Sequence, residues 1–427
     1  ALLSALGMML MGQSARAQTW ADLYYRNRLP FTINNTSGRA FAASELATAT
    51  IPASLTGDLV RPDGSDIAVY YDQTPLPTKA MPMGGCVKVV FPLQSALATG
   101  TSQSGYTLYF NGYTGFTPPA VPAGIVSYDF RDGNLHGWKS LQDPANTGQS
   151  GSDVVIAPDP QDGETSMLLQ ATKYHHPMAY ADEMTPVGDA TMYFAGRAYE
   201  GQKEVAPIQR FNTQVLMDSE GAQYVTGADI PGVGIALDSY GSYAMGIMTT
   251  LGAEEGTPAR RHPGPEIIIE GYPYTVNSPN VQYATVATRL KSGTTWFAAD
   301  WWQAQNRFGN SDPVAGGYRL SVNTASKIGV QPMPEGKLAL MQYYTPVYVK
   351  WMCLVPGGWS DDVTTTTGSV ESAPGLPPGA AVIRGIVYDS TGGPVFTIAD
   401  ATVTIKDQSN NTVATLTTDV NGKYEAL

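Results

Sequence analysis

The 427-residue sequence predicts an all-β protein, antiparallel β-sandwich modules arranged in series with a large central block. Three observations predict it: short alternating apolar and polar runs recur along the chain, Gly, Pro, Asn or Asp bound them, and helical periodicity is nearly missing. The runs are 28–34, 66–71, 87–91, 107–110, 167–171, 190–199, 233–238, 242–249, 285–290, 296–302, 318–322 and 347–355. Short helices are expected only at 93–98 and 300–305. No period of about 20–50 residues repeats, so solenoids and propellers are not expected.

Composition narrows the class of ligand. Lys and Arg number 25 and Asp and Glu 37, so the net charge is −12, and 15% of residues are charged against about 25% in ordinary soluble domains. That balance argues against nucleic acid, whose phosphates call for a basic face, and against an anionic membrane surface. Neutral or cationic ligands fit it better. The 45 Gly and 31 Pro make about 18% of the chain, below the share that marks low-complexity disorder, and 24 Tyr accompany a 43% hydrophobic content. A folded, turn-rich chain follows.

The first residues read as a targeting segment. Residues 1–11 form an apolar run of about signal-peptide length, too short to span a bilayer, and Ala15-Arg16-Ala17 has the small-x-small pattern of a cleavage site, placing a mature start at Gln18. A buried N-terminal helix is the alternative. The expectation is a secreted or extracellular bacterial surface protein, with the periplasm as the other compartment. Only Cys86 and Cys353 are present, so there is no disulfide scaffold; they are two isolated thiols or one inter-domain disulfide. His136, His175, His176 and His262 lack zinc-site spacing, and His175-His176 reads as a polar turn before Pro177.

Two joints divide the chain. Residues 118–124 are Pro-rich and aperiodic, a stiff linker, and residues 363–380 are Thr-rich and then Gly-Leu-Pro-Pro-Gly, a second linker. The expected modules are therefore 18–117, 125–362 and 381–427, after a signal peptide at 1–17.

Each module carries a resemblance. Trp20, Tyr25-Arg26, Leu29-Pro30-Phe31-Thr32-Ile33-Asn34-Asn35, Asp63-Gly64-Ser65-Asp66-Ile67-Ala68-Val69-Tyr70 and the strand from Tyr106 to Gly112 resemble the domain-of-unknown-function family 2341. That resemblance implies a β-sandwich of secreted and surface proteins with no known catalytic residue; Trp20 and Tyr25 read as core anchors. The run Tyr128-Asp129-Phe130-Arg131-Asp132-Gly133, followed by Gly137-Trp138, resembles the opening strand of concanavalin-like jelly rolls of the laminin-G and legume-lectin superfamily. The strands Met192 to Arg197 and Gly234 to Asp238, and the hairpin with the Lys291-Ser292-Gly293 turn, agree with it. Ile383-Arg384-Gly385-Ile386-Val387-Tyr388-Asp389, Gly392-Gly393-Pro394, Ala401-Thr402-Val403-Thr404-Ile405 and Thr417-Thr418-Asp419 through Tyr424 resemble the carboxypeptidase regulatory-like (transthyretin-like) β-sandwich, here in part. No cofactor is expected apart from a structural calcium of the jelly-roll kind, and Val349-Lys350-Trp351-Met352-Cys353 lacks the Asp-Asp pair the family often sets beside that ion.

Two constellations carry candidate chemistry. Glu266-Ile267-Ile268-Ile269-Glu270 resembles the nucleophile and acid/base strand of family sixteen glycoside hydrolases, which would make Glu266 and Glu270 the catalytic pair. Alternation would place both on one face with Ile268, but Ile268 stands where that family has a modulating Asp, and an edge strand with two exposed carboxylates is the other reading. Trp296, Trp301 and Trp302, with Gln303 and Asn306 beside them and Tyr240 and Tyr243 on a Gly-Ser-rich strand, form an aromatic and amide set suited to stacking and hydrogen-bonding a sugar. Adjacent Trp301 and Trp302 fall on opposite faces of a strand, so at most one of them faces a ligand. The leading expectation is a non-catalytic secreted or cell-surface protein whose jelly roll binds a neutral polysaccharide or cell-surface glycan or mediates adhesion, with no membrane insertion. A hydrolase using Glu266 and Glu270 and a structural surface or filament subunit are the alternatives.

Overall fold

A computed structural model describes residues 20–112 except 23, 118–140, 152–171, 178–198, 335–342, 346–373 except 358, 359 and 361, 383–389, 396–407, 409–418 and 423–426; between 204 and 323 it describes the strands given below. The first module contains β1 (Tyr25–Asn34), β2 (Leu46–Pro52), β3 (Ala68–Tyr71), β4 (Thr74–Leu76), β5 (Lys79–Pro82), β6 (Cys86–Pro92) and β7 (Ser102–Gly112). The middle module opens with β8 (Val126–Asp129), β9 (Trp138–Ser140), β10 (Ser152–Pro158), β11 (Thr165–Ala171), β12 (Met178–Ala181), β13 (Ala190–Ala198), β14 (Glu204–Phe211), β15 (Val215–Met217) and β16 (Gln223–Val225). It continues with β17 (Val233–Asp238), β18 (Gly246–Thr249), β19 (Arg260–Arg261), β20 (Gly264–Ile268), β21 (Gln282–Lys291), β22 (Thr294–Gln303), β23 (Tyr318–Asn323), β24 (Lys337–Gln342) and β25 (Val347–Pro356). Then come β26 (Thr364–Thr367), β27 (Glu371–Ser372), β28 (Ile383–Ile386), β29 (Tyr388–Asp389), β30 (Phe396–Thr397), β31 (Thr402–Lys406), β32 (Thr412–Thr417) and β33 (Lys423–Ala426).

The class is all-β, as the sequence predicts, and every run named above lies wholly or partly on a strand. Neither expected helix is found among the described residues. Residues 93–98 form a loop whose Leu97 bridges Phe41 through paired backbone hydrogen bonds, leaving those groups unavailable for a helical turn. Residues 300–303 belong to β22, hydrogen-bonded between two neighbours. Among the described residues, the one α-turn is Ala53–Thr56. Among the described residues, no helix is long and apolar enough to cross a membrane.

The first module is a two-sheet sandwich. One sheet runs β26-β1-β7-β3-β4, with β27 also on β1, and the other runs β2-β6-β5. Leu29, Phe31 and Ile33 of β1 meet Ala47, Ala49 and Ile51 of β2 and Val87, Val89 and Phe91 of β6, one face of each strand, as period 2 requires. The Asp63-Gly64-Ser65-Asp66 motif builds the turn before β3. Ser65 N–H donates to Asp63 Oδ1, Arg61 N–H donates to Asp66 Oδ1, and Gly64 has φ +67° with the Ala80 carbonyl 2.8 Å from where a Cβ would sit, so only glycine fits. Tyr25 is fully buried as expected. Trp20 meets Tyr109 edge to face at 5.6 Å and lies under the Arg28 guanidinium at 4.6 Å.

The middle module is a second sandwich. An eight-stranded sheet runs β10-β11-β25-β13-β21-β22-β23, with β8 also on β25, and a seven-stranded sheet runs β20-β18-β17-β14-β24-β12-β9. Met192 and Phe194 of β13 and Val349, Met352 and Leu354 of β25 pack against Trp138 of β9, Ala179 and Ala181 of β12 and Leu338 and Leu340 of β24. Phe130 and Trp138 of the opening motif are core residues, edge to face at 5.9 Å.

Along β13 and β25 the opposite face of the eight-stranded sheet is also buried, against the first module. Tyr193 and Ala195 of β13 and Trp351, Cys353 and Val355 of β25 form one apolar cluster with Met81, Met83, Cys86 and Val90. A polar lock lies in the same contact. Thr48 Oγ1 is 2.7 Å from Tyr193 Oη and donates to Ser360 Oγ at 2.9 Å, and Tyr193 Oη and Ser360 Oγ are 3.0 Å apart. All three residues are buried, and their hydroxyls satisfy one another.

The second joint is corrected by this arrangement. Residues 363–373 are not a free linker: Val363 enters the core of the first module, β26 pairs with β1 from Phe31↔Thr367 to Asn34↔Thr364, and β27 pairs at Asn27↔Ser372 and Arg28↔Glu371. Arg28 Nε and Nη2 both donate to Glu371 Oε2, at 2.9 and 2.7 Å. A run of four threonines reads as low complexity, yet β-branched residues suit an edge strand, and β1 offered an open edge. Residues 374–382 lie outside the described residues. The first joint, 118–124, forms no strand and is tied down where Thr78 N–H donates to the Ala120 carbonyl.

Cys86 and Cys353 are both buried in that inter-module cluster and form no disulfide, and burial pushes the Cys353 thiol up to about 11. Denatured, unreduced protein is therefore expected to titrate two thiols and native protein none; a count of zero after denaturation would contradict it. Tyr193→Phe is expected to cost about 1 kcal/mol in urea unfolding, because Thr48 and Ser360 keep each other, whereas Tyr193→Ala also empties the ring's volume and costs about 3–5 kcal/mol.

Candidate functional site

The aromatic segment singled out from the sequence lies on β22, between β21 and β23 toward one end of the eight-stranded sheet. Lys291 pairs with Thr294, which closes the β21–β22 hairpin at the expected turn. Register then sorts the residues into two sets. Trp296 stands opposite Arg289 and Asn323, Asp300 opposite Thr285 and Arg319, and Trp302 opposite Tyr283. Between them, Phe297 stands opposite Thr288 and Val322, Ala299 opposite Val286 and Leu320, and Trp301 opposite Ala284 and Tyr318.

Pairing with β13 tells which face is which. Ala284 and Val286 stand opposite Phe194 and Met192, both in the sandwich core, so Phe297, Ala299 and Trp301 hold core-face positions. Tyr283 and Thr285 stand opposite Ala195 and Tyr193, on the face that the first module covers farther along the sheet. Trp296, Asp300 and Trp302 share that outer face, with Arg289, Arg319, Ser321 and Asn323. Of the adjacent pair, Trp301 thus holds a core-face position and Trp302 an outer-face one. Gln303, opposite Gln282, has the parity of Trp301. Asn306, Tyr240 and Tyr243 lie outside the described residues. Tyr283, Arg289 and Arg319 were missed because they sit on other strands and only pairing unites them.

Glu266 occupies β20, the edge of the other sheet. Ile247 pairs with Ile267 and Met248 with Pro265, so Glu266 is the extra residue of a bulge, and simple alternation does not carry from Glu266 to Ile268. Glu270 lies outside the described residues. Glu266 and the β22 tryptophans belong to different sheets.

A buried ionic cluster, unforeseen in the sequence, sits on the outer face near β13 and β25. Lys350 Nζ lies 3.1 Å from Asp159 Oδ2, 2.8 Å from Asp162 Oδ1 and 3.3 Å from Glu164 Oε2. Arg197 Nε is 3.3 Å from Asp159 Oδ2, and its Nη2 donates to Asp162 Oδ2 at 2.7 Å. A bulge places Lys350 there: Ala195 pairs with Trp351 and Gly196 with Val349, leaving Lys350 as the extra residue. The acids come from the β10–β11 connection, folded on itself by Gly163 N–H to the Asp159 carbonyl and Gln161 N–H to Asp159 Oδ1. Burial alone would raise the Asp162 carboxyl, but hydrogen bonds from Lys350 and the Glu164 N–H, with the charges of Lys350 and Arg197, hold it below its ordinary value. The cluster clamps a hairpin to the sheet. Among the described residues, no group of three or more His, Cys, Asp or Glu is arranged to hold a metal ion; these three carboxylates face Lys350 and Arg197 instead.

Lys350→Met is expected to cost about 3 kcal/mol, since it leaves the fully buried Asp159 with Arg197 alone. The depressed Asp162 pKa makes its contribution fully present above the ordinary aspartate range and lost as pH falls through the folded-state value. Asp162→Asn is accordingly expected to flatten the acid limb of a plot of urea midpoint against pH; an unchanged limb would show that other carboxylates set it.

No protein-family model and no curated protein matches the chain, so the resemblances of the first and last modules rest on their motifs alone. Solved structures share similarity over about half of the chain. Peanut lectin has 12% identity and a TM-score of 0.33, covering 58% of this chain and all of the lectin. A carbohydrate-binding module from Bacillus subtilis has 9% identity and a TM-score of 0.28, covering 54% of this chain and 96% of the module. A prokaryotic β-1,3-1,4-glucanase derived from a mouse hindgut metagenome has 9% identity and a TM-score of 0.28, covering 54% of this chain and 99% of the enzyme.

Proposed function

We propose that the protein is an exported, non-catalytic glycan-binding protein whose binding surface is the outer face of β21, β22 and β23. The observation that carries this reading is the division of that hairpin into two registers. One set continues the apolar core; the other gathers Trp296, Trp302 and Tyr283 with Asp300, Arg289, Arg319, Thr285, Ser321 and Asn323. A strand whose only task was to close a sandwich over solvent has no use for two tryptophans on its polar face. Sugars do, because their C–H faces stack on flat rings while hydroxyls exchange hydrogen bonds with polar neighbours.

The rest of the architecture supports a scaffold role. The first module is fixed to the same sheet by buried contacts, so the ligand surface would be carried on a stiff two-module unit. Export rests on the apolar run at 1–11 and Ala15-Arg16-Ala17, outside the described residues. The sequence expectation of a neutral polysaccharide rests on the low charge density of the whole chain, and the local register bears on it below.

Trp302→Ala is expected to weaken glycan binding by on the order of 1–3 kcal/mol with the melting temperature kept, and Trp301→Ala to lower the melting temperature. Binding measured by isothermal titration on a glycan selected from an array, beside thermal unfolding of each variant, checks both. If Trp302→Ala unfolds the module as Trp301→Ala does, the register assignment of a ligand face is wrong.

A further inference from the structure

We infer that the β21–β23 face takes an acidic polysaccharide, with uronate carboxylates recognised by Arg289 and Arg319 and sugar rings by Trp296 and Trp302. This rests on the glycan reading above and narrows it. The chain as a whole carries −12, but this patch reverses the sign: the outer register places two arginines, Lys291 and one aspartate on three adjacent strands. Asp300 stands directly opposite Arg319, whereas the position opposite Arg289 is Trp296. Electrostatics of the patch therefore favour an anion where the composition of the chain favours a neutral ligand, and a local field outweighs distant charges beyond about one Debye length, roughly 10 Å.

The residue type sharpens the class. A guanidinium presents a planar fork of donors that matches a carboxylate in two parallel hydrogen bonds, which a lysine ammonium does not, and it also packs flat against rings. The spacing sets the size. Trp296 and Trp302 are six positions apart on one strand, about 20 Å at the rise of an antiparallel strand, which suits a run of several sugars rather than one. Arg289 beside Trp296 and Arg319 beside Asp300 lie on opposite flanks of β22, so successive carboxylates of an extended chain would meet one arginine on each side.

The test is affinity electrophoresis of the full chain through native gels containing polygalacturonate, alginate or a neutral mixed-linkage β-glucan, with Arg289→Gln, Arg319→Gln and Trp302→Ala beside the unaltered protein. Thermal unfolding of each variant confirms that it is folded, and the Arg→Lys variants at the same positions replace any that is not. The expected result is retardation by a polyuronate that weakens with added salt, a loss of about tenfold in affinity for either Arg→Gln variant, and little retardation by the neutral glucan. Equal retardation by the neutral glucan, with the arginine variants unaffected and Trp302→Ala impaired, would overturn the acidic ligand and leave the glycan reading standing. No retardation in any gel would overturn both.

Discussion

The contact between β13 and β25 of the middle sandwich and β2, β5 and β6 of the first is the constraint on which the rest depends. It buries both faces of one sheet: Met192 and Phe194 on one side of β13, Tyr193 and Ala195 on the other. Burying a Val, Leu or Met side chain contributes about 1.5–3 kcal/mol, so the shared apolar cluster alone is a large fraction of a domain's net stability. The hydroxyl triad of Thr48, Tyr193 and Ser360 adds register to that adhesion, since any sliding of the two sheets would leave a buried hydroxyl without its partners. The 363–373 strap returns the chain to the first module after the middle one is complete, which joins the two a second time.

One sheet face consequently serves two ends. Along β13 and β25 it is small, apolar or hydroxylic and is covered by protein; along β21, β22 and β23 the same face carries aromatic, charged and amide residues. The Lys350 and Arg197 cluster lies beside the covered part, where the two buried cations and buried Asp159 are met from the solvent side by the exposed Asp162 and Glu164. Such a cluster contributes more to holding the β10–β11 hairpin in one place than to raw stability, because desolvation offsets much of its Coulomb energy.

Much of the fold was legible in the sequence. Alternation located strands such as β17 at their observed limits, and the opening Phe130 and Trp138 of the middle module were readable as structural residues. What failed did so for tertiary reasons. β2, Leu-Ala-Thr-Ala-Thr-Ile-Pro, is missing from the expected runs because its outer face is threonine; Thr48 there is buried against Tyr193 of the middle module, and Thr50 N–H donates to Thr365 of the strap. Residues 364–367 read as linker because their partner, β1, lies more than three hundred positions away. At the candidate site, Trp296 and Trp302 were visible as a local cluster, but Tyr283, Arg289 and Arg319 join it only through cross-strand pairing. The parity that separates Trp301 from Trp302 was readable; which of the two belongs to the core was not, since that depends on β21 meeting Met192 and Phe194.

Hydrogen–deuterium exchange of the full chain with and without a saturating polysaccharide tests the central claim most directly, that one face of one sheet is divided between module and ligand. The account requires slow exchange in β2, β6 and β13 with or without ligand, and added protection confined to β21, β22 and β23 when ligand is present. Fast exchange in β13, or ligand protection centred on β20 around Glu266, would contradict it.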